Sequence, residues 1–189
     1  MNNRIIVDCD QTVVNSAYAW YLWLEKKTNA NFTYSWVSAT YDFSIPYGPI
    51  WASRGLSGSP LDFWRERHLY DDIQPIEGSV EALKTLHNDG YDICFVSQIK
   101  GDHFKSKYQM LKRNFPFMAA YAATKEKWLF SDCTMVIEDR NSMLNMFDNP
   151  ETLRVKRNTP HDQDEILRVG LDYTLYEWED FQEWLLNVL

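Results

Sequence analysis

The sequence predicts an α/β fold: a Rossmann-like parallel sheet flanked by helices, with a small, mainly helical cap inserted after the first strand and helix. Short apolar, β-branched runs alternate with segments of helical periodicity, which is typical of parallel sheets built with helical crossovers. Polar residues that could carry chemistry follow three of the four predicted strands. A stretch rich in proline, glycine and aromatic residues separates the first helix from the rest of the chain.

The strand predictions rest on four apolar runs. The first, RIIV, is β-branched and is followed by an Asp-Cys-Asp tripeptide, the pattern of a buried parallel strand whose carboxyl end opens onto a polar site. The second and third runs, YDICFV and CTMVI, are likewise followed by polar residues. The predicted strands cover residues 4–7, 91–96, 133–137 and 152–156.

Segments of helical periodicity connect these strands. GSVEALKTLHN has apolar residues at helical spacing, and Asp89-Gly90 supplies a stop signal. A short apolar stretch that ends at Ala122 has no assigned element. The predicted helices cover residues 13–27, 78–88, 103–114, 142–147 and 178–189, the last being a closing amphipathic helix.

Residues 28–75 differ in composition from the sequence on either side. They are rich in Asn, Ser, Gly, Pro and aromatic residues, have weak periodicity, and are interrupted by Pro46, Pro49, Gly55, Gly58 and Pro60. We therefore predict a cap over residues 28–75, inserted into a core formed by residues 1–27 and 76–189. The functional site is expected between cap and core, where the cap would exclude water and choose the ligand.

Length, charge and composition restrict the class of protein. A chain of 189 residues with 45% hydrophobic and 24% charged residues can form one sizeable globular core with a small added lobe. The formal net charge of −8 repels phosphate backbones, so binding to long nucleic acids is not expected. The first residues match neither a signal peptide nor a membrane-spanning helix, so we expect a cytoplasmic protein without a membrane partner. The three cysteines lack the spacing of a zinc site and are expected to be reduced and buried.

Acidic residues follow two of the predicted strands and are expected to lie close together. Asp8 and Asp10 are two residues apart, so their side chains can point the same way. Two close carboxylates repel unless a cation or a shared proton compensates, and the second acidic pair, Glu138-Asp139, makes magnesium the simplest explanation. One carboxylate could then attack phosphorus while the other, held protonated, donates to the leaving oxygen. Capping of the following helix is the alternative explanation for the two aspartates, but it does not account for the other polar strand ends.

Four motifs, in this order, resemble those of the phosphatases of the haloacid dehalogenase (HAD) superfamily. Asp8-Cys9-Asp10-Gln11-Thr12-Val13 is similar to the Asp-x-Asp-x-Thr signature that follows the first strand in that superfamily. Ser97 in FVSQIK resembles the second motif, and Glu138-Asp139 in MVIEDR resembles the fourth. For the third motif, a lysine, both Lys127 and Lys125 in TKEKW are candidates.

Within that superfamily the chain is most similar to the 5'(3')-deoxyribonucleotidases. The resemblance covers nearly the whole length and rests on DDIQPIEGSVEALKTL, the Ile-Lys that follows the second motif, TKEK, and the closing WEDFQEWL. It implies magnesium-dependent hydrolysis of deoxyribonucleoside monophosphates through an aspartyl-phosphate intermediate. Two positions depart from the pattern: Gln11 replaces the usual Gly, and Glu138 replaces the commoner Asp. Neither change removes a required functional group.

The resemblance also implies chemical roles for the matched residues. Asp8 would be the nucleophile, and Asp10 the general acid and then the base that activates water. Magnesium would be bound by Asp8, the backbone carbonyl of Asp10 and Asp139, with Glu138 beside them.

Substrate-binding residues follow from the same resemblance and from the aromatic content of the cap. Ser97 and Lys127 would hold phosphate oxygens, and Lys100 is a further phosphate contact. A base could stack on the face of an aromatic ring, although each of the candidate rings could instead belong to the core. The aromatic candidates are Trp64 and Phe63, together with Tyr18, Trp20 and Phe43.

Two other functions remain open. A HAD phosphatase could act on another small phosphate ester, such as a sugar phosphate, or on a nucleic-acid 3'-phosphate, although the negative charge disfavours a polynucleotide. The other function is that of a catalytically inactive relative that binds a nucleotide, and the complete set of motif residues argues against it. The composition is compatible with a homodimer and does not require one.

Overall fold

The fold is a six-stranded, wholly parallel sheet with helices on both faces, which confirms the predicted α/β class. The computed structural model describes residues 3–31, 43–99, 101–160 and 165–188. The strand order is β3-β2-β1-β4-β5-β6. The strands are β1 (Arg4–Val7), β2 (Asp92–Ser97), β3 (Ala120–Ala123), β4 (Met135–Glu138), β5 (Leu153–Arg157) and β6 (Tyr173–Leu175).

Within the described residues, six α-helices and two short 3-10 helices accompany these strands. The first 3-10 helix spans Pro60–Arg65 and the second spans Lys127–Phe130. The α-helices are α1 (Ser16–Thr28), α2 (Ser44–Ser53), α3 (Ser79–Asn88), α4 (Phe104–Asn114), α5 (Asn141–Leu144) and α6 (Trp178–Val188). None of the helices in the described part of the chain is both long and apolar enough to cross a membrane.

The register of the central strands brings the polar strand ends together. Val7, the last residue of β1, pairs with Phe95 of β2 and Ile137 of β4. The backbone N–H of the next residue, Asp8, donates to the carbonyl of Ile137 at 2.9 Å and extends the ladder by one step. The residues that follow Val7, Phe95 and Ile137 therefore meet at one edge of the sheet, which is where α/β folds bind their ligands.

Two strands were not predicted from the sequence. β3 consists of three alanines and one tyrosine and lies half exposed at one edge of the sheet, so it lacks the branched apolar residues that mark the central strands. β6 has only three residues and lies at the opposite edge. Both are short edge strands, for which hydrophobic patterning is weakest.

Helix α1 begins later than the periodicity predicts. Residues 11–14 form a turn, and the side chain of Asn15 accepts a hydrogen bond from the backbone N–H of Tyr18 at 2.9 Å. Asn at this position satisfies one of the unpaired N–H groups at the helix start, so the helix begins at Ser16. The extra turn carries the chain from the end of β1 over the edge of the sheet.

The sheet separates two hydrophobic cores. Side chains alternate along β1, so that Ile5 and Val7 pack into the larger core and Ile6 into the smaller one. Helices α1 and α6 contribute Trp20 and Trp178 to the larger core. Cys9, Cys94 and Cys133 are free and buried, as the sequence predicts.

The described residues between α1 and α3 form helix α2 and the first 3-10 helix, and they pack tightly on α1. The ring of Trp20 stacks on Phe43 and Phe63, with centroid distances of 4.8 and 6.4 Å. Its indole N–H donates to the carbonyl of Pro60 at 2.8 Å. The aromatic residues of this segment therefore join it to the main core, and some of them also face the cavity described next.

Candidate active site

A cavity of about 400 Å³ opens at the carboxyl edge of the central strands. Its floor is polar and contains the residues that follow β1, β2 and β4, together with Lys127. One wall is apolar and comes from α1 and from the segment between α1 and α3. The cavity thus lies between the sheet and the predicted cap.

Lys127 lies between two carboxylates on the floor of this cavity. Its Nζ is 2.5 Å from an oxygen of Asp8 and 2.5 Å from an oxygen of Glu138, and all three side chains are buried. Burial alone lowers the pKa of Lys127, but the two carboxylates outweigh that effect and raise it, so the lysine is charged. Lys125 also lines the cavity, but it is exposed. Of the two candidate lysines, the structure therefore brings Lys127 to Asp8.

Three buried carboxylates converge beside Lys127. Asp8, Glu138 and Asp139 each offer an oxygen, and these oxygens lie within 4.8 Å of one another. Burial raises the pKa of Asp8 to about 6, opposed by Lys127 and reinforced by Glu138 and Asp10. Burial and the neighbouring Glu138 and Asp8 raise the pKa of Asp139 well above its usual range.

This cluster fits a hard divalent cation. Three carboxylates converge here, and carboxylate oxygens are the ligands that magnesium prefers. The cluster contains two of the predicted metal residues, Asp8 and Asp139, and adds the Glu138 side chain. The Asp10 side chain is instead bound by Tyr70 and Lys107 and is not part of this cluster.

Both carboxylate oxygens of Asp10 are held by neighbouring side chains. Tyr70 donates its hydroxyl to one oxygen at 2.7 Å, and Lys107 donates to the other at 2.6 Å. Burial raises the pKa of Asp10, but Lys107, Tyr70 and Ser16 together lower it below its usual value. The sequence predicts a protonated Asp10, whereas these donors keep it ionised in the ligand-free protein.

Lys107 is the site residue that the sequence analysis missed. It lies on α4 with no exposed side-chain surface, and its Nζ donates to Asp10 and, at 2.9 Å, to the hydroxyl of Ser97. The sequence does contain a pattern that indicates that Lys107 is buried. Lys107 falls on the apolar stripe of α4, with the buried Met110 and Leu111 three and four residues further on. A lysine at such a position is buried only when it has partners.

The remaining predicted site residues fall into three groups. Ser97 is buried on the cavity floor beside Lys107, as predicted. Trp64 lines the apolar wall, whereas Phe63 packs in the core against Trp20 and Trp23. Lys100 lies outside the described residues. The apolar wall itself is formed by Ala17, Trp20, Phe43, Leu61 and Trp64.

Gln11 has a left-handed backbone conformation, with φ of 62°. Glycine adopts this conformation without steric cost, which explains why Gly is usual here in the motif that the sequence resembles. Gln11 has a compensating contact: its side-chain amide donates to the hydroxyl of Ser16, in the first turn of α1, at 3.0 Å. The departure from the motif is therefore tolerated by a local hydrogen bond.

The fold is similar to that of solved structures described as HAD-superfamily hydrolases. A protein from Thermotoga maritima described as a beta-phosphoglucomutase superimposes with a TM-score of 0.68 at 11% identity, covering 100% of both chains. One from Haemophilus somnus described as a phosphoglycolate phosphatase gives 0.66 at 12% identity, covering 97% of this chain and 98% of that one. A HAD hydrolase from Bacillus subtilis, bound to magnesium, gives 0.62 at 12% identity, covering 98% of each chain. No family model and no curated protein matches the sequence.

Proposed function

We propose that this chain is a magnesium-dependent phosphomonoesterase that hydrolyses deoxyribonucleoside monophosphates through an aspartyl-phosphate on Asp8. The observation that carries the proposal is the arrangement around Asp8. Its carboxylate lies on the cavity floor, 2.5 Å from Lys127, and is grouped with the carboxylates of Glu138 and Asp139. Asp10 lies on the same floor.

The first half-reaction transfers the phosphoryl group to the protein. An Asp8 oxygen forms a bond to phosphorus as the bond from phosphorus to the nucleoside oxygen breaks, and Asp10 gives a proton to that leaving oxygen. A bound phosphate brings further negative charge beside Asp10, which raises its pKa toward the protonated form that the step requires. Lys127 and Ser97 hold the phosphate oxygens and offset their charge.

The second half-reaction releases inorganic phosphate. Asp10, now ionised, takes a proton from a water molecule, whose oxygen bonds to phosphorus as the bond to Asp8 breaks. Asp8 is thereby restored as a carboxylate. Magnesium held by Asp8, Asp139 and the Asp10 backbone, beside Glu138, would neutralise charge on the phosphoryl oxygens in both steps.

The shape of the cavity supports a nucleotide as substrate. Its volume of about 400 Å³ is within the range of small-molecule sites, and its apolar wall is formed largely by aromatic rings. Trp64, which is partly exposed on this wall, could accept the flat face of a base while the phosphate reaches the polar floor. The deoxyribonucleotidase-like motifs of the sequence support the same substrate class.

A different small phosphate ester is the second candidate. Structural relatives described as a phosphoglycolate phosphatase and a beta-phosphoglucomutase carry names that refer to small phosphorylated compounds. Such ligands have no flat apolar group to occupy the aromatic wall, so the wall favours a nucleotide.

Release of inorganic phosphate from a panel of esters tests the proposal. The panel contains deoxy- and ribonucleoside 5'- and 3'-monophosphates, a sugar phosphate and an aryl phosphate, each with magnesium or EDTA. We expect magnesium-dependent hydrolysis of deoxyribonucleotides, no activity in Asp8→Asn, and full activity in Asp148→Asn, which changes an exposed aspartate outside the cavity. Hydrolysis of the aryl phosphate without any nucleotide would overturn the substrate class and keep the mechanism, whereas no hydrolysis at all would indicate a binding protein.

A further inference from the structure

Lys107 is a fully buried cation that belongs to none of the four sequence motifs. It lies on α4 behind three residues that line the cavity, and its Nζ is 2.6 Å from Asp10, 2.9 Å from the Ser97 hydroxyl and 3.4 Å from the carbonyl of Gln98. Burying an ammonium group costs free energy unless fixed partners replace the water it loses. Here the partners include Asp10 and Ser97, and both act directly in the proposed reaction.

Lys107 also contacts Tyr70, which is the second side chain that donates a hydrogen bond to Asp10. Its Nζ lies 4.6 Å from the centre of the Tyr70 ring, in the geometry of a cation–π contact, and the Tyr70 hydroxyl donates to the second oxygen of Asp10 at 2.7 Å. Lys107, Tyr70 and Asp10 thus form a closed triangle of contacts. Each carboxylate oxygen has one fixed donor, which restricts the rotation of the Asp10 side chain.

Further hydrogen bonds fix the segment that carries Tyr70 to helix α4. Ser106, next to Lys107 on α4, accepts a hydrogen bond from the backbone N–H of Tyr70 at 2.9 Å and donates to the carboxylate of Asp71 at 2.6 Å. Arg113, at the end of the same helix, donates to the carbonyl of Asp71 at 3.1 Å. The segment that carries Tyr70 is therefore fixed to α4. These hydrogen bonds also fix the distance between Tyr70 and Lys107, the two donors to Asp10.

We propose that Lys107, assisted by Tyr70, is a positioning residue that fixes Asp10 relative to Ser97 for proton transfer during phosphoester hydrolysis. The inference rests on the proposed function. Ser97 contacts the phosphoryl group in that reaction, and Asp10 must reach the leaving oxygen one bond beyond phosphorus. A single ammonium group that binds both sets the separation between them, and small errors in such a separation lower the rate of proton transfer strongly.

The role predicts a dependence on the leaving group. An alkoxide, such as the oxygen of a deoxyribose, leaves poorly without a proton, whereas an aryloxide with an electron-withdrawing group leaves well without one. Misplacing Asp10 should therefore slow phosphoryl transfer from a nucleotide, which kcat/KM reports, much more than phosphoryl transfer from an activated aryl phosphate. Hydrolysis of the aspartyl-phosphate, which also uses Asp10, is common to both substrates and does not enter kcat/KM. A merely structural ion pair would affect both substrates equally, because both need the same folded site.

The experiment measures kcat and KM for dTMP and for p-nitrophenyl phosphate, in magnesium, with the unmodified protein, Lys107→Met, Lys107→Arg and Tyr70→Phe. Lys112→Met is the matched control, because it removes an exposed lysine from the same helix. We expect Lys107→Met to lower kcat/KM for dTMP by about 100-fold and kcat/KM for the aryl phosphate by less than about 10-fold. Lys107→Arg keeps the charge but not the geometry, so it should restore only part of the activity. Tyr70→Phe should also lose more activity on dTMP than on the aryl phosphate, but both losses should be smaller than in Lys107→Met.

Two results would overturn the inference. Equal losses of kcat/KM on both substrates would show that Lys107 acts through folding or phosphate binding rather than through Asp10, and no loss on either substrate would show that the lysine is not needed to position Asp10. If Lys107→Met does not fold, as judged by its thermal unfolding, Tyr70→Phe decides, because it removes one hydroxyl and leaves the ring in place. An unmodified protein that hydrolyses neither ester would overturn the proposed function and this inference with it, whereas normal turnover without the substrate difference would overturn the inference alone.

Discussion

The Nζ of Lys127 lies 2.5 Å from the carboxylate of Asp8, although the two residues are 119 positions apart in the chain. The parallel sheet creates this proximity, because Asp8 follows the carboxyl end of β1, Lys127 follows the carboxyl end of β3, and both ends lie at the same edge of the sheet. The lysine offsets the charge that Asp8 would place against an incoming phosphate. The contact therefore links the order of the strands to the proposed chemistry.

Replacing this lysine should affect activity far more than replacing its neighbour. Lys127→Met leaves Asp8 and Glu138 without their shared cation, so we expect the rate of phosphate release to fall by at least about 100-fold and the unfolding free energy to fall by about 3 kcal/mol. Lys125→Met is the matched variant, since Lys125 is exposed and also lines the cavity. Steady-state kinetics and urea denaturation measure the two effects. A larger loss of activity in Lys125→Met would reverse the assignment of the third motif.

Magnesium should stabilise the protein, and more so as the pH rises. The folded pKa of Asp8, about 6, is above its value of 3.8 in a model carboxyl group, and the pKa of Asp139 is raised as well. In EDTA, the stability that these groups contribute is therefore complete below about pH 4 and is lost as the pH rises through about 6. Magnesium replaces the protons, so at about 100 times its dissociation constant we expect about 3 kcal/mol of stabilisation near pH 7 and much less near pH 5.

Thermal unfolding with magnesium or EDTA across this pH range measures the effect. Asp139→Asn should remove most of the magnesium stabilisation, while the exposed variant Asp148→Asn should keep it. Equal stabilisation by magnesium in the unmodified protein and in Asp139→Asn would place the cation elsewhere.

The apolar wall should discriminate between substrates with and without a base. Trp64→Ala removes one ring from the wall, and the loss of a stacked base contact is worth about 1–3 kcal/mol, or roughly a 5- to 150-fold rise in KM for dTMP. An activated aryl phosphate, which is smaller, should be affected less. Trp128→Ala, which removes an exposed tryptophan outside the cavity, is the control. An unchanged KM for dTMP in Trp64→Ala would show that the base does not lie against this ring.

The folded protein should be more stable with glycine at position 11 than with alanine at that position. Gln11→Gly and Gln11→Ala both lose the hydrogen bond to the start of α1, but only alanine keeps a Cβ at a φ of 62°. We expect Gln11→Gly to exceed Gln11→Ala in unfolding free energy by about 1 kcal/mol, because the left-handed conformation costs alanine more than the added chain entropy costs glycine. Urea denaturation of the pair is the measurement. Equal stabilities would mean that the turn relaxes to another conformation.

Much of the fold and part of the site follow from local sequence. The central strands are buried on both faces, so their apolar runs, such as the one that ends at Val7, identify them and the polar residues that come next. The edge strands β3 and β6 have no comparable pattern. The difference reflects burial, since only a strand covered on both sides must be apolar throughout.

The contacts of Asp10 show where local sequence stops being informative. Its partners Tyr70 and Lys107 lie 60 and 97 positions away, and neither belongs to a motif. The pKa of Asp10 is lowered in the ligand-free protein for this reason, whereas the interpretation of the sequence considered only the repulsion between two aspartates. The ionic state of a buried group depends on all of its neighbours, which only the tertiary structure reveals.

The most direct test of the central claim is to trap the phosphorylated aspartate. The protein is mixed with dTMP and magnesium, quenched in acid during turnover, reduced with borohydride, and digested for mass spectrometry. Because borohydride converts an aspartyl-phosphate to homoserine, the account predicts homoserine at position 8 only when substrate and magnesium are both present, and none in Asp8→Asn. Steady release of phosphate with an unmodified Asp8, or with homoserine at position 10, would contradict it.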